Sequence, residues 1–485
     1  MTDLKSKALS GAGWAITARL LRTFVSIATM GVLSRFLSPG EFGIMALVTF
    51  VTALAQMFAD FGIRAALVQR KTITRLQQDS VYWTNVGMSF VAMAGILIFA
   101  EPIAGLLGDR GAAEPLRWIA PIFLFTAMQG TPLAVLERKM NFRPIAMTEV
   151  VSAIVGAIVA IVMVWSGFGI GALVGQQLIM PLISAILYTF LSRWTPRLQF
   201  SLDELRPLLS YGRYVTGSGI VQYFANAADR PIIGNRLTPT DLGYQSMSDN
   251  IVAAPLRIIV SMVRRVMFPI MSSIQDDGER MRRGMLGVQY GLVAMMAPIC
   301  FGLWALADPV VRLVLGPGWE MVAILMGYTT LRAFLNVFTD LNAVIFSAKG
   351  HAKFQFHWSI FSLVANIVVL LLAVPYGIVA LAAARLSLSL VLVPINSWFV
   401  RRLTDLPAMD RVFVSFRPIL SAALMAAGVG MVDKMIASHG TMARLLIGIP
   451  LGAILYVLLE CLIDRKRFLE LGAMLMRRGK RPRVA

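Results

Sequence analysis

Apolar runs of about twenty residues recur along almost the whole chain, near 13–36, 42–61, 80–100, 116–136, 145–165, 168–191, 211–228, 242–263, 285–306, 320–346, 354–374, 377–399, 415–436 and 442–463. A helix of that length crosses the hydrocarbon core of a bilayer, where only a helix or a closed barrel satisfies its own backbone hydrogen bonds. The pattern predicts an all-α polytopic membrane protein with about fourteen transmembrane helices. Composition agrees, since 57% of the 485 residues are hydrophobic and 15% are charged, whereas soluble domains carry about 25% charged residues. The first run is too long, and its Arg19 and Arg22 too internal, for a cleavable leader, so it is expected to persist in the mature chain.

Charge predicts the orientation independently. With the N-terminus in the cytoplasm, every even-numbered connection is cytoplasmic, and these connections hold Arg64, Arg70, Lys71 and Arg75; Arg138, Lys139 and Arg143; Arg193, Arg197, Arg206 and Arg213; Arg264, Arg265, Arg280, Arg282 and Arg283; Lys349 and Lys353; and Arg401, Arg402, Arg411 and Arg417. The basic tail after Arg465 lies on the same side, so both termini are expected in the cytoplasm. The net charge of +19 is therefore read as positive loops facing anionic lipid, and not as a nucleic-acid surface.

The chain also repeats itself. Ser34 to Met45 (SRFLSPGEFGIM) runs parallel to Gly234 to Gln245 (GNRLTPTDLGYQ), with Leu37/Leu237, Ser38/Thr238, Pro39/Pro239, Glu41/Asp241 and Gly43/Gly243 in register. Ala100-Glu101-Pro102 answers Ala307-Asp308-Pro309, and Gly169-Ile170 answers Gly377-Ile378. The unit holds six helices, an even number, so both copies enter the membrane in the same direction. The expected organisation is an N-lobe over 1–192, a cytoplasmic linker over 193–210, a C-lobe over 211–400, two extra helices over 401–463 and a basic tail over 464–485.

Catalytic signatures are not found. His351, His357 and His439 are scattered at spacings that fit no zinc motif, Cys300 and Cys461 fall in apolar runs, and Gly316-Pro317-Gly318 reads as a turn. No phosphate-cradling glycine loop or nucleophile elbow occurs. The chain is expected to be no enzyme and to hold no metal.

Polar residues inside the apolar runs fall at helical spacing instead. Arg19, Arg22, Ser26 and Thr29 share a face of the first run, and Thr49, Thr52, Gln56 and Asp60 share a face of the second, with Arg64 just beyond. The seventh run gives Gln222, Asn226 and Asp229, the eighth Asp249 and Arg257, the tenth Thr329, Arg332, Asn336 and Asp340. A charge in the hydrocarbon core costs about 2.5–3.5 kcal/mol on insertion scales, so such residues face a wet cavity or a partner. Structural alternatives stay open: Arg19 snorkelling to headgroups, Arg22 or Arg257 pairing with Asp60 or Asp249, Asp60 with Arg64 as a helix-end pair, Asp229 as a cap, and Arg332 with Asp340 satisfied through Asn336. Arginines exceed acids in these runs, which favours an anionic solute, and a guanidinium fork suits phosphate.

The stretch LSRFLSPGEFGIMALVTFVTALAQMFADFGIRAALVQRK (Leu33 to Lys71) resembles the N-lobe signature of Wzx-type polysaccharide transporters in the multidrug/oligosaccharidyl-lipid/polysaccharide exporter superfamily. So do ANAADRPIIGNRLTPTDLGYQSM and APLRIIVSMVRRVMFPIMSSIQDD, between Ala225 and Asp277. The resemblance implies a bacterial inner-membrane flippase for undecaprenyl-diphosphate-linked oligosaccharide repeat units, serving exopolysaccharide, capsule or O-antigen synthesis. It implies that Arg19, Arg22 and Arg257 hold the diphosphate, that Asn226 and Asp229 belong to the seventh-helix pattern, and that a polysaccharide polymerase and a chain-length regulator are partners. No cofactor is implied; coupling to a proton or sodium gradient would use Asp60, Asp249 or Asp340. The chain reads Asp229-Arg230-Pro231 where the family pattern has Asp-Asn and an aliphatic residue, and Arg230 is left without a role.

The expected mechanism is alternating access, with sugar and diphosphate in a hydrated cavity and the polyprenyl tail in lipid. The alternative is an ion-coupled drug or small-solute antiporter of the same superfamily, which would more often have twelve spans and an excess of cavity acids.

Overall fold

The computed structural model describes residues 2–64, 67, 70, 72–273, 278–348, 351–404, 408–465 and 467–468. Among them the secondary structure is helical, and the chain divides into two compact units, Met1–Ser246 and Met247–Ala485.

The first unit is built from α1 (Thr2–Leu33), α2 (Pro39–Asp60), α3 (Arg75–Leu106), α4 (Ala113–Ile119), α5 (Ile122–Arg138), α6 (Phe142–Trp165), α7 (Gly171–Ser192), α8 (Leu202–Ala227), α9 (Asp229–Arg236) and the first turns of α10 (Pro239–Ser273). Helix α6 packs on both α1 and α7, and α5 bridges α3 and α7. The lipid as solvent explains the division of faces on α6. Ala153, Ala157 and Ala160 are buried against neighbouring helices, whereas Val151, Ile154, Ile158 and Val162 point outward. Small residues let backbones approach where apolar contact with lipid gives no advantage over contact with protein.

The second unit takes in the rest of α10 and α11 (Gly278–Ala305), α12 (Ala307–Val314), α13 (Glu320–Ala348), α14 (Ala352–Ala373), α15 (Gly377–Thr404), α16 (Ala408–Met435) and α17 (Thr441–Ile463). Helix α16 packs along α11 and α17, and α13 along α11 and α15.

Each of the fourteen apolar runs falls on helix, the fourth on the bent pair α4 and α5, whose axes differ by 41°. Judged by length and apolarity, nine segments among the described residues are able to span a membrane, and the bent pair makes ten. The segment 353–402 contains both α14 and α15, separated by a short turn at Val374–Tyr376. Helices α1, α8 and α10 are not among the nine; they are the ones that carry Arg19 and Arg22, Asp203 and Glu204, and Asp249 and Arg257. The protein is a multi-pass membrane protein, with a span count that this criterion leaves below fourteen.

The repeat is visible in detail at the two twin turns. Ser38 and Glu41 close a capping box at the start of α2, with Ser38 N donating to Glu41 Oε2 at 2.8 Å and Glu41 N to Ser38 Oγ at 3.4 Å. Thr238 and Asp241 do the same at the start of α10, with Thr238 N donating to Asp241 Oδ2 at 3.3 Å and Asp241 N to Thr238 Oγ1 at 3.1 Å. Each box satisfies donors that a helix start leaves unpaired, and each places a carboxylate at the positive end of the dipole. The two helix starts also cross. A Cβ on Gly43 would overlap the Pro239 carbonyl, and a Cβ on Gly243 would overlap the Pro39 carbonyl. The duplicated glycines are thus each other's close approach.

The connection expected over 193–210 is extended only through Ser201, because Leu202 already begins α8. Its extended part is fastened to the start of α3. Arg197 N donates to the buried Asp79 at 3.1 Å, Ser201 N to Ser80 Oγ at 2.9 Å, and Trp83 Nε1 to the Arg197 carbonyl at 2.7 Å. Trp194 is buried beneath the Arg75 guanidinium, which lies 4.8 Å from its ring centre.

Candidate functional site

The first unit brings four of its charged residues together in two pairs. Arg22 of α1 lies 3.9 Å from Glu149 of α6, and Arg64, just beyond α2, lies 3.4 Å from Glu137 of α5. Buried Tyr188 of α7 stands within the electrostatic reach of all four groups. Both pairs are loose and part-exposed, with Arg22 50% and Arg64 46% accessible. Side chains in this state keep donors free for a third party, unlike a closed, bidentate pair. A second constellation lies on the polar face of α2. Gln56 Nε2 donates to Asp60 Oδ1 at 3.1 Å, and Thr126 Oγ1 of α5 donates to Gln56 Oε1 at 2.7 Å. Higher on the same helix, Gln177 of α7 donates to Thr49 Oγ1 at 3.2 Å.

The remaining expected residues of this unit are arranged differently. Arg19 and Ser26 are exposed along α1. Asn226 is exposed and donates to the Gln222 carbonyl of its own helix at 2.8 Å. Asp229 is buried at the start of α9, just beyond the seventh apolar run, where α8 ends at Ala227.

In the second unit Arg332 of α13 lies 3.4 Å from Asp249 of α10, and one turn away Ser248 Oγ donates to Thr329 Oγ1 at 3.1 Å. Asn336 and Arg257 are exposed, and Asp340 is half-buried. Of the alternatives raised by spacing, Arg22 takes a glutamate of α6, Arg64 a glutamate of α5, and Asp249 receives Arg332.

Several residues in these arrangements are ones that spacing alone does not select. Glu149 counts as an in-membrane acid in the sequence, but its place beside Arg22 depends on α1 packing along α6. Glu137 sits beside basic Arg138 and Lys139 and reads as part of a cytoplasmic connection. Arg411 also reads as a connection charge, whereas α16 starts at Ala408 and carries it into the interior, 5% exposed. Its Nε donates to Gln289 Oε1 at 2.9 Å and its Nη2 to Asn342 Oδ1 at 2.5 Å, while Asn342 Nδ2 donates to Asn396 Oδ1 at 2.6 Å. Glu460 of α17 is fully buried and accepts from the Tyr290 hydroxyl at 2.8 Å.

Comparison with known proteins adds to this geometry. The chain is 29% identical over 98% of its length to the succinoglycan biosynthesis transport protein ExoT of Rhizobium meliloti, covering 96% of that protein. It is 24% identical to the lipopolysaccharide biosynthesis protein WzxC of Escherichia coli, over 74% of this chain and 73% of that one. Among solved structures, the lipid II flippase MurJ in an inward closed conformation superposes with a TM-score of 0.75, covering 95% of this chain and 100% of that one at 15% identity; this likeness is one of fold. The polysaccharide biosynthesis protein family matches residues 32–324, more than half of the chain, and the chain belongs to that family.

Proposed function

We propose that this protein translocates polyprenyl-diphosphate-linked oligosaccharide repeat units across a bacterial inner membrane, for exopolysaccharide, capsule or O-antigen synthesis, by alternating access. Arg22–Glu149 and Arg64–Glu137 carry the reading: two accessible cation–anion pairs inside an apolar unit. In the empty state each glutamate holds an arginine in place and offsets its charge. An arriving diphosphate competes for the same guanidinium donors, which suit its oxygens by geometry and by weak hydration. Release returns each arginine to its glutamate, so the cycle ends where it began. Arg257 and the Arg332–Asp249 pair give the second unit comparable chemistry. Coupling to an ion gradient falls to Asp60, Asp249 or Asp340, and the charge asymmetry of the connections supports a cytoplasmic position for both termini. The names of the succinoglycan and lipopolysaccharide relatives, both drawn from glycan biosynthesis, favour this reading over a drug antiporter.

The test is flipping of a fluorescent polyprenyl-diphosphate oligosaccharide in proteoliposomes. Arg22→Ala combined with Arg257→Ala is expected to lower the rate by at least tenfold while insertion is unchanged, the scale on which one lost charge-assisted hydrogen-bond set operates. Arg22→Lys, which keeps the charge but loses the fork, is expected to fall between. Wild-type flipping by the double variant would refute the diphosphate assignment.

A further inference from the structure

The second unit holds a cleft of about 350 Å³ between the first turns of α11 and α16 and the segment following α17. It is lined by Arg282, Arg417, Arg467 and Asp410 and by the apolar Leu286, Phe413 and Val414. The cleft lies at the arginine-rich end of these helices. Val412, Phe413 and Phe416 of α16 point outward there, 59%, 65% and 56% exposed. One side of the opening therefore meets the hydrocarbon surface of the protein, and the other meets charge. Only an amphipathic ligand satisfies both.

The ionic balance of the walls narrows the choice. Arg282 is taken by Asp410 at 2.5 Å and by Glu279 at 3.5 Å, and Arg417 by the buried Asp464 at 2.9 Å. Arg467 is thus the one lining arginine with no carboxylate partner among the described residues, and one such cation matches a phosphodiester, with its single negative charge, better than a diphosphate. We propose that this cleft binds the headgroup of an anionic phospholipid of the surrounding bilayer, its phosphate on Arg467 and the accessible edges of Arg282 and Arg417, its acyl chains along Phe413 and Phe416. Basic pockets at helix ends on the positive side of a membrane protein hold lipid headgroups by this combination of charge and apolar wall. Bound there, the lipid links α11, α16 and the segment beyond α17, away from the pairs assigned to the transported diphosphate.

The experiment uses the full-length protein in neutral detergent, with phosphatidylglycerol as probe, phosphatidylcholine as uncharged control, and inorganic phosphate and a polyprenyl diphosphate as competitors. Retained lipid is read by native mass spectrometry and by the shift in thermal midpoint. Phosphatidylglycerol is expected to be retained over phosphatidylcholine and to resist both competitors at equal concentration. Arg467→Gln is expected to weaken retention about fivefold, the factor one interfacial cation is worth, and Arg467→Glu to weaken it further. Leu286→Trp, which fills the cleft from its apolar side, should reproduce the loss, and Arg236→Gln, an exposed cation of the other unit, should leave retention unchanged. Equal retention by wild type and the Arg467 variants, displacement by inorganic phosphate, or displacement by the polyprenyl diphosphate would each overturn the assignment. The first would mean nonspecific binding, the second a free-anion site and the third a substrate site.

Discussion

A buried arginine is costly unless every donor is occupied, and Arg411 is the residue where that rule bears hardest. It is held by neutral amides, Gln289 and Asn342, and its Nη1 has no hydrogen-bond partner among the described residues. Removing it leaves Gln289 and Asn342 with unmatched carbonyl oxygens in the interior of the second unit. Arg411→Ala is therefore expected to destabilise by about 3 kcal/mol, from two lost charge-assisted bonds and the stranded acceptors. Thermal unfolding in detergent measures it, and an unchanged midpoint would show that the network is not structural. The contrast with Arg22 is one of access. Arg411 is sealed and fastens α16 to α11 and α13, whereas Arg22 is half-exposed and its carboxylate partner lies at the outer limit of pairing. Two arginines in one protein do different work because one can reach a ligand and the other cannot.

At the scale of the element, the helices were legible in the sequence and their partners were not. A run of twenty apolar residues has one good conformation in lipid, so position along the chain suffices to place α6, α7 or α17. Which charge meets which is decided by helices far apart in sequence, and nothing in the spacing of Arg22 distinguishes Glu149 from Asp60. Helix starts fail for a related reason: Asp410 and Arg411 are charged, so the apolar count began after them, whereas α16 absorbs both by pairing one and burying the other. Short α12 offers the clearest electrostatic case. Asp308 accepts from Arg312 at 2.8 Å and from Arg444 of α17 at 2.9 Å, and Arg444 also holds Asp433 of α16 at 2.6 Å. Burial alone would raise the Asp308 carboxyl, but the two arginine hydrogen bonds outweigh it and hold it below its ordinary value of 3.8. A carboxyl lowered on folding stabilises the protein above that value and loses the contribution as pH falls through its folded-state value. The midpoint of unfolding is thus expected to drop below about pH 4, and Asp308→Asn to flatten that part of the profile. A profile identical in the variant would remove Asp308 from the account.

For the whole molecule, the duplication visible in the sequence does more than describe its ancestry. The twin segments were legible as a repeat because the prolines, acids and glycines recur in register, and their role as helix caps followed from the residue types. Their mutual contact was not legible, since two similar segments give no sign that they touch. Gene duplication ordinarily leaves one copy at liberty to drift. Here the copies are steric neighbours, and Gly43 and Gly243 behave as a single locus written at two addresses. A methyl group at either forces the same two helix starts apart, at a cost of about 1–3 kcal/mol. Once they have separated, the second methyl meets space that the first has already opened. A double-mutant cycle of Gly43→Ala and Gly243→Ala, followed by thermal unfolding, is therefore expected to give a double variant less destabilised than the sum of the singles. Additive losses would mean that the two helix starts yield independently. Subadditive losses would mean that neither half of this chain can accept a larger residue at its turn without having altered the room available to the other.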